Sequence, residues 1–213
     1  SSFDELRRQT EQGLLLWEEY PSIRFGVETA LLNLKNGGEG VYFDNSFARG
    51  EQKIPINGLV WMGSPEFMQE QIEQKLNAGF STIKMKIGAI DLDSELSILH
   101  SIRKRYSAKE LTLRVDANGA FSRESALPIL EELAKLEIHS IEQPITAGQI
   151  EAMSELCLKT PVPIALDEEL IGINSAQEKE QLLKSIQPQY IILKPSLHGG
   201  ISGTKEWIRI AEE

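Results

Sequence analysis

An α/β fold built from repeated βα units is predicted for this chain of 213 residues. Three observations predict it. Short apolar segments recur at a near-constant interval: NGLVWMG from residue 57, TIKMKI from 82, LTLRVDAN from 111, IHSIEQP from 138, PIALDEE from 163 and YIILKP from 190. A stretch of helical periodicity separates each from the next. Five of the six carry an ionisable group in their C-terminal part: Lys86, Asp116, Glu142, Asp167 and Lys194, spaced 25 to 30 residues apart. Parallel strands joined by right-handed crossovers all point one way, so those ends share one face.

The elements follow in order. Residues 3 to 19 and 22 to 35 read as helices, the second with Phe25, Ala30, Leu31, Leu32 and Leu34 as a broad apolar face and Asn36-Gly37-Gly38 as its stop. Residues 39 to 53 read as a loop before the first strand. Ser64-Pro65 is an N-cap followed by proline at the first helical position, and Gly79 ends that helix in a left-handed cap. Further helices are expected near 93 to 106, 122 to 136, 147 to 159, 174 to 186 and 202 to 213. Pro128 predicts a kink or a late start in the second of these. Thr160-Pro161-Val162-Pro163 forbids helix and leads into the fifth strand.

Six βα units suit an open doubly wound sheet or three-quarters of an eight-stranded barrel. An open sheet binds ligands at one crevice, whereas a closed ring turns every strand end towards one pocket. Functional ends on five successive strands favour the ring. A ring needs two more strands, so the chain is expected to be part of a longer protein.

Composition narrows the function. Hydrophobic residues make up 41% and charged residues 25%, as in a globular protein. The net charge of −10 disfavours nucleic acid and anionic membrane as partners. No apolar run reaches transmembrane length, and the opening SSFDELRRQTEQ lacks the apolar core expected of a signal peptide. Cys157 is the sole cysteine, which suits inert core and a reducing cytoplasm.

Side chains alternate along a strand, so Lys84 and Lys86 share one face, as do Arg114 and Asp116. Their apolar neighbours take the helix-covered face, which leaves the charges pointing inward. Buried charges require partners or a metal. Each motif alone has a bland explanation: Lys-x-Lys as a solvated face, Asp-Ala-Asn or Asp-Glu-Glu as a turn or cap, Glu142-Gln143-Pro144 and Lys194-Pro195 as strand ends. Together they require five independent coincidences of position. Asp116, Glu142 and Asp167 then offer oxygen ligands to a hard cation, Mg²⁺ or Mn²⁺ rather than zinc. Such an ion acidifies the carbon next to a substrate carboxylate, and a lysine in a low-dielectric pocket can serve as the base. The predicted class is proton abstraction beside a carboxylate, followed by elimination, isomerisation or racemisation. The histidines carry less: His100 lies mid-helix, His139 opens a strand, and His198 follows Lys194 closely. Gly199-Gly200-Ile201-Ser202 precedes a helix, and its N-terminus is either an anion site or a plain turn.

The motifs INGLVWMG, KMKIG, LRVDANGAF, HSIEQPI, ALDEEL and ILKPSLHGG resemble the enolase superfamily, in its muconate-lactonizing subgroup. The resemblance implies a modified (β/α)8 barrel, truncated here to six βα units, with residues 1–50 as the helical remnant of an α+β capping domain and 51–213 as partial barrel. It implies Asp116, Glu142 and Asp167 as metal ligands, Lys86 as acid/base and Lys194 as the cation opposite, with Lys84, Arg114 and Asn118 in support. The branch most resembled dehydrates a cyclohexadiene carboxylate in menaquinone biosynthesis. The same lysine pair serves racemases of N-succinylamino acids, dipeptide epimerases and cycloisomerases. A non-catalytic homologue with a structural cation is the reading of another class, which retention of both lysines opposes.

Overall fold

Six parallel strands form one sheet in sequence order, β1 (Gly58–Val60), β2 (Thr82–Lys86), β3 (Thr112–Asp116), β4 (Ser140–Glu142), β5 (Ile164–Leu166) and β6 (Tyr190–Ile191). The computed structural model describes residues 4–5, 8–9 and 19–213. Most of the helix expected over 3 to 19 lies outside the described residues; positions 4–5 and 8–9 are helical. The helices are α1 (Pro21–Lys35), α2 (Pro65–Asn77), α3 (Leu92–Arg105), α4 (Arg123–Ala134), α5 (Ile150–Lys159), α6 (Ala176–Ile186) and α7 (Gly200–Glu212). The βα alternation is the one the apolar spacing predicts.

Two compact units make up the chain. One comprises Ser1–Pro55, Leu170–Leu183 and Leu193–Glu213; the other comprises Ile56–Glu169 and Lys184–Ile192 and holds the whole sheet. In the sheet unit, alternation sets the faces. Ile83, Met85, Leu113 and Val115 are buried, while Lys84, Lys86 and Arg114 between them are only partly so. α2 packs on β1 and α3, and α4 packs on α5.

Local chemistry fixes the boundaries. The Ser64 hydroxyl accepts from the Phe67 N–H at 3.3 Å to open α2. That helix closes in a Schellman turn, with Phe80 N–H donating to Lys75 O, Gly79 N–H to Leu76 O, and Gly79 at φ +81°. The late start expected from Pro128 does not occur. α4 begins at Arg123 because Ser122 and Ser125 cap each other reciprocally, and Pro128 sits inside the helix.

In the other unit, the sequence reading of α1 needs correction. Its buried residue is Glu28, and Ala30 and Leu34 of the expected apolar face are exposed. The cause is α7, against which α1 packs. Glu28 Oε2 accepts from the Ile201 N–H at 2.5 Å and the Ser202 N–H at 3.1 Å, and Arg24 Nε donates to Oε1 at 3.1 Å. The anion at the N-terminus of α7 is therefore the chain's own carboxylate, held where the helix dipole favours it. That capping also explains why α7 starts at Gly200 rather than 202.

Candidate active site

The register of the sheet puts the candidate side chains in one row. Lys86 pairs with Asp116, Asp116 with Glu142, and Glu142 with Ala165. Asp167 lies just beyond the end of β5, two residues past Ala165. One level below, Lys84 pairs with Arg114 and Arg114 with Ser140.

Asp116 is wholly buried and takes two ammonium groups. Lys84 Nζ is 2.8 Å and Lys86 Nζ 2.6 Å from its Oδ2. Lys84 also reaches Glu142 Oε2 at 2.5 Å, so one cationic point spans both carboxylates. Burial opposes ionisation of Asp116, but hydrogen bonds from Lys84 and Lys86 outweigh it and hold the carboxyl below its ordinary value. Glu142 goes the other way. Burial pushes it up to about 7, against the pull of Lys84 and with the neighbouring Asp116 charge adding to the rise. Burial would lower the Lys84 ammonium, yet its bonds to Asp116 and Glu142 raise it overall.

The supporting residues fall around this row. Asn118 accepts from Lys86 Nζ at 2.6 Å through Oδ1 and donates through Nδ2 to Glu168 Oε1 at 2.8 Å. Its backbone N–H donates to Asp116 Oδ1 at 3.1 Å. Arg114 lines a cavity of about 260 Å³ together with Asn57, Lys84, His139, Glu142 and Tyr190. Its Nε is buried and makes no hydrogen bond among the described residues. His139 stacks on Tyr190 at 5.4 Å, and His100 is exposed on α3.

Lys194 belongs to the other unit, where it follows β6 in sequence. Its backbone N–H donates to His198 Nδ1 at 2.9 Å, and its carbonyl accepts from the Leu197 and His198 N–H groups. His198 is buried with its ring edge-on to Trp207. It thus shapes the Lys194 turn, a role that spacing alone does not reveal.

Four residues with a place in the site escaped the sequence reading. Gln143, fully buried at φ +38°, accepts from the Asp167 N–H at 3.1 Å and the Glu169 N–H at 3.3 Å. It donates to Ile145 O at 3.0 Å and Glu169 Oε2 at 3.1 Å, while Glu169 Oε1 accepts from the Gly148 N–H at 2.8 Å. Glu168 holds Asn118, as above. Glu95 accepts from the Gly88 N–H at 2.8 Å and steadies the turn after β2. Burial raises the Glu95 carboxyl, partly offset by the N–H groups of Gly88, Ile90 and Ala89. The signal was present for the first three, since EQP and DEE each carry a second polar residue beside the predicted ligand.

Gly119 makes the loop beyond Asn118 possible. It sits at φ +76°, its N–H donates to Gln143 O at 2.7 Å, and a Cβ there would stand 2.9 Å from Thr146 Cα. Gly119→Ala is expected to destabilise the protein by about 2 kcal/mol or more, from left-handed strain and backbone overlap together. Chemical denaturation measures it, and an unchanged midpoint would refute the close approach.

A hard divalent ion fits this donor set in kind. The donors are carboxylate oxygens, and the Lys84 ammonium already marks a cationic point between two of them. Among the described residues, no three His, Cys, Asp or Glu side chains close on one point.

Comparison with known proteins gives the family. Residues 67–213 match the model described as enolase C-terminal domain-like. The chain belongs to the enolase superfamily. Within that superfamily it is 51% identical over 194 residues to an o-succinylbenzoate synthase of Desulfotalea psychrophila, covering 91% of this chain and 52% of that protein. The crystal structure of MenC from D. psychrophila LSv54 superposes with a TM-score of 0.79 at 49% identity, over 85% of this chain and 50% of that one. A dipeptide epimerase from Cytophaga hutchinsonii, complexed with Mg and the dipeptide D-Ala-L-Val, gives 0.67 at 27% identity, over 75% and 42%. The chain thus spans about half the length of the superfamily members it matches. The six-stranded parallel sheet agrees with the predicted barrel portion of this superfamily fold. No described helix is long and apolar enough to cross a membrane.

Proposed function

We propose that this chain carries the general-base and metal-ligating part of an o-succinylbenzoate synthase acting on a cyclohexadiene carboxylate in menaquinone biosynthesis. The observation that carries the reading is the row Lys86–Asp116–Glu142 at one level of the sheet, in a chain 51% identical to such a synthase. Residues 1–50 would close the capping domain, and 51–213 would belong to the barrel. Asp116, Glu142 and Asp167 would hold Mg²⁺ or Mn²⁺, and the bound ion would supply Lewis-acid polarisation of the substrate carboxylate.

Lys86, as the free amine, takes the proton from the carbon next to that carboxylate. The electron pair left behind forms a ring double bond as hydroxide departs from the neighbouring carbon. The Lys86 ammonium returns its proton to the departing hydroxide on the same side, so water leaves and the ring becomes aromatic. Asn118 and Asp116 orient the lysine for both transfers. Lys194 is assigned fixed positive charge on the opposite side of the substrate, as the family resemblance implies. A cytoplasmic setting accords with Cys157, a buried thiol pushed up to about 12 by burial.

The likeness to a dipeptide epimerase motivates a second reading, in which both lysines exchange protons with an N-acylated amino acid. Lys194 variants of the full-length protein separate the two. For dehydration, Lys194→Arg is expected to keep at least tenfold more turnover than Lys194→Ala, because charge survives. For racemisation both variants are dead, since guanidinium is no base near neutral pH. Steady-state rates on a cyclohexadiene carboxylate and on an N-succinylamino acid decide between them.

A further inference from the structure

Trp61 is a large aromatic residue left 54% exposed next to Lys86. It directly follows β1, and since Val60 pairs with Met85, it stands level with Lys86 on the neighbouring strand. The Lys86 ammonium lies 5.8 Å from the centre of the indole ring. Nearly every other apolar side chain of β1 to β3 is turned into the core.

The backbone at Trp61 is held unusually firmly for an exposed position. Gln71 on α2 accepts from the Trp61 N–H at 2.9 Å and donates to the Trp61 carbonyl at 2.9 Å. The Gln71 amide acts as a one-residue strand partner, satisfying both main-chain groups. A buried aromatic would owe such order to packing; here a side-chain clamp supplies it.

We propose that Trp61 is a specificity-determining wall of the substrate pocket, which stacks against the conjugated diene of the ring acid that Lys86 deprotonates and against its aromatic product. The inference rests on the reading of Lys86 as the base and names what selects the substrate at that same site. A carbon surrendering its proton to Lys86 lies about 3 Å from Nζ. With the indole centre 5.8 Å from that nitrogen, a six-membered ring around the reacting carbon falls within contact of the indole. Flat rings gain from offset stacking beyond the area they cover. An N-succinylamino acid is acyclic at its reacting centre, offers no conjugated ring and gains no such stacking.

The test uses the full-length, metal-loaded protein. Trp61→Ala is expected to raise KM for the cyclohexadiene acid about tenfold, the range of one good aromatic pair, with kcat changed less. Trp61→Phe should recover most of the loss. KM for an N-succinylamino acid should stay within about threefold in both variants, and Gln71→Leu, which releases the clamp but keeps the indole, should give an intermediate loss confined to the ring substrate. A second readout needs no turnover: calorimetric binding of o-succinylbenzoate should weaken about tenfold in Trp61→Ala. Unchanged affinity for o-succinylbenzoate, or a parallel loss on both substrates, would overturn the proposal. Trp61-dependent binding of that aromatic acid without any dehydration activity would instead sink the synthase reading and keep the aromatic wall.

Discussion

Lys86→Ala in the full-length protein is expected to lower kcat for dehydration by at least about a thousandfold, within the range of a lost general base. The fold should survive. Lys84 stays 2.8 Å from Asp116, so truncating Lys86 does not leave that buried carboxylate without a cation. Asn118 keeps its bond to Glu168, so the loop after β3 retains an anchor. KM should move little, because the role proposed for the Lys86 amine is on a proton rather than on the substrate charge. Lys86→Arg sharpens the measurement: it restores positive charge beside Asp116 yet supplies no base, so it should be as slow as alanine. Turnover within tenfold of wild type in either variant would remove Lys86 from the chemistry.

Asp116→Asn is expected to weaken Mg²⁺ binding at least a hundredfold by calorimetry, a larger loss than that of a group merely supporting a ligand. It should also cost the metal-free protein about 2 kcal/mol, since the partly buried Lys86 ammonium then loses its carboxylate partner and Lys84 keeps Glu142 alone. The pH dependence carries a signature. The folded-state pKa of Asp116 is depressed, so its stabilisation is present above the unfolded value of about 3.9 and is lost as pH falls through the folded one. Glu142 is raised to about 7, so its contribution is present at low pH and is lost as pH rises from about 4.3 towards that value. Two adjacent carboxylates therefore tilt the metal-free stability curve in opposite directions. Denaturation at a series of pH values should show the acid-side slope reduced in Asp116→Asn. An unaltered slope, or undiminished metal affinity, would contradict the shared-ion assignment.

β2 and β3 were legible because each buries alternate side chains, and that alternation is written in the runs TIKMK and TLRVD, whereas β4 and β5 are buried at every position. The row of charges was legible for the same reason, since i and i+2 positions cannot both be apolar and face a polar pocket. What escaped depends on a partner distant in sequence. Glu28 reads as the polar side of an amphipathic helix until the N-terminus of α7 arrives beside it. Lys179 sits in a polar run, AQEKEQ, yet it is buried, with Glu206 at 2.7 Å and the Trp207 ring beneath it. Gln143 passes for the end of a strand, although its amide satisfies groups 24 and 26 residues away. Periodicity reports which face a residue occupies, and it is silent on what waits there. Proline 128 marks a further limit: a reciprocal serine cap fixed the start of α4 five residues upstream of it.

The buried Gln143 amide has a mechanical consequence. It follows Glu142 in the chain and holds the N–H of Asp167, so the turns beyond β4 and β5 are yoked through one side chain. Thermal drift of either turn drags the other along. What such a yoke keeps constant is the separation of the two carboxylates rather than their position in space. A pincer whose jaws share a hinge keeps its gap while the hand trembles, and two turns joined in this way can hold an ångström-scale tolerance.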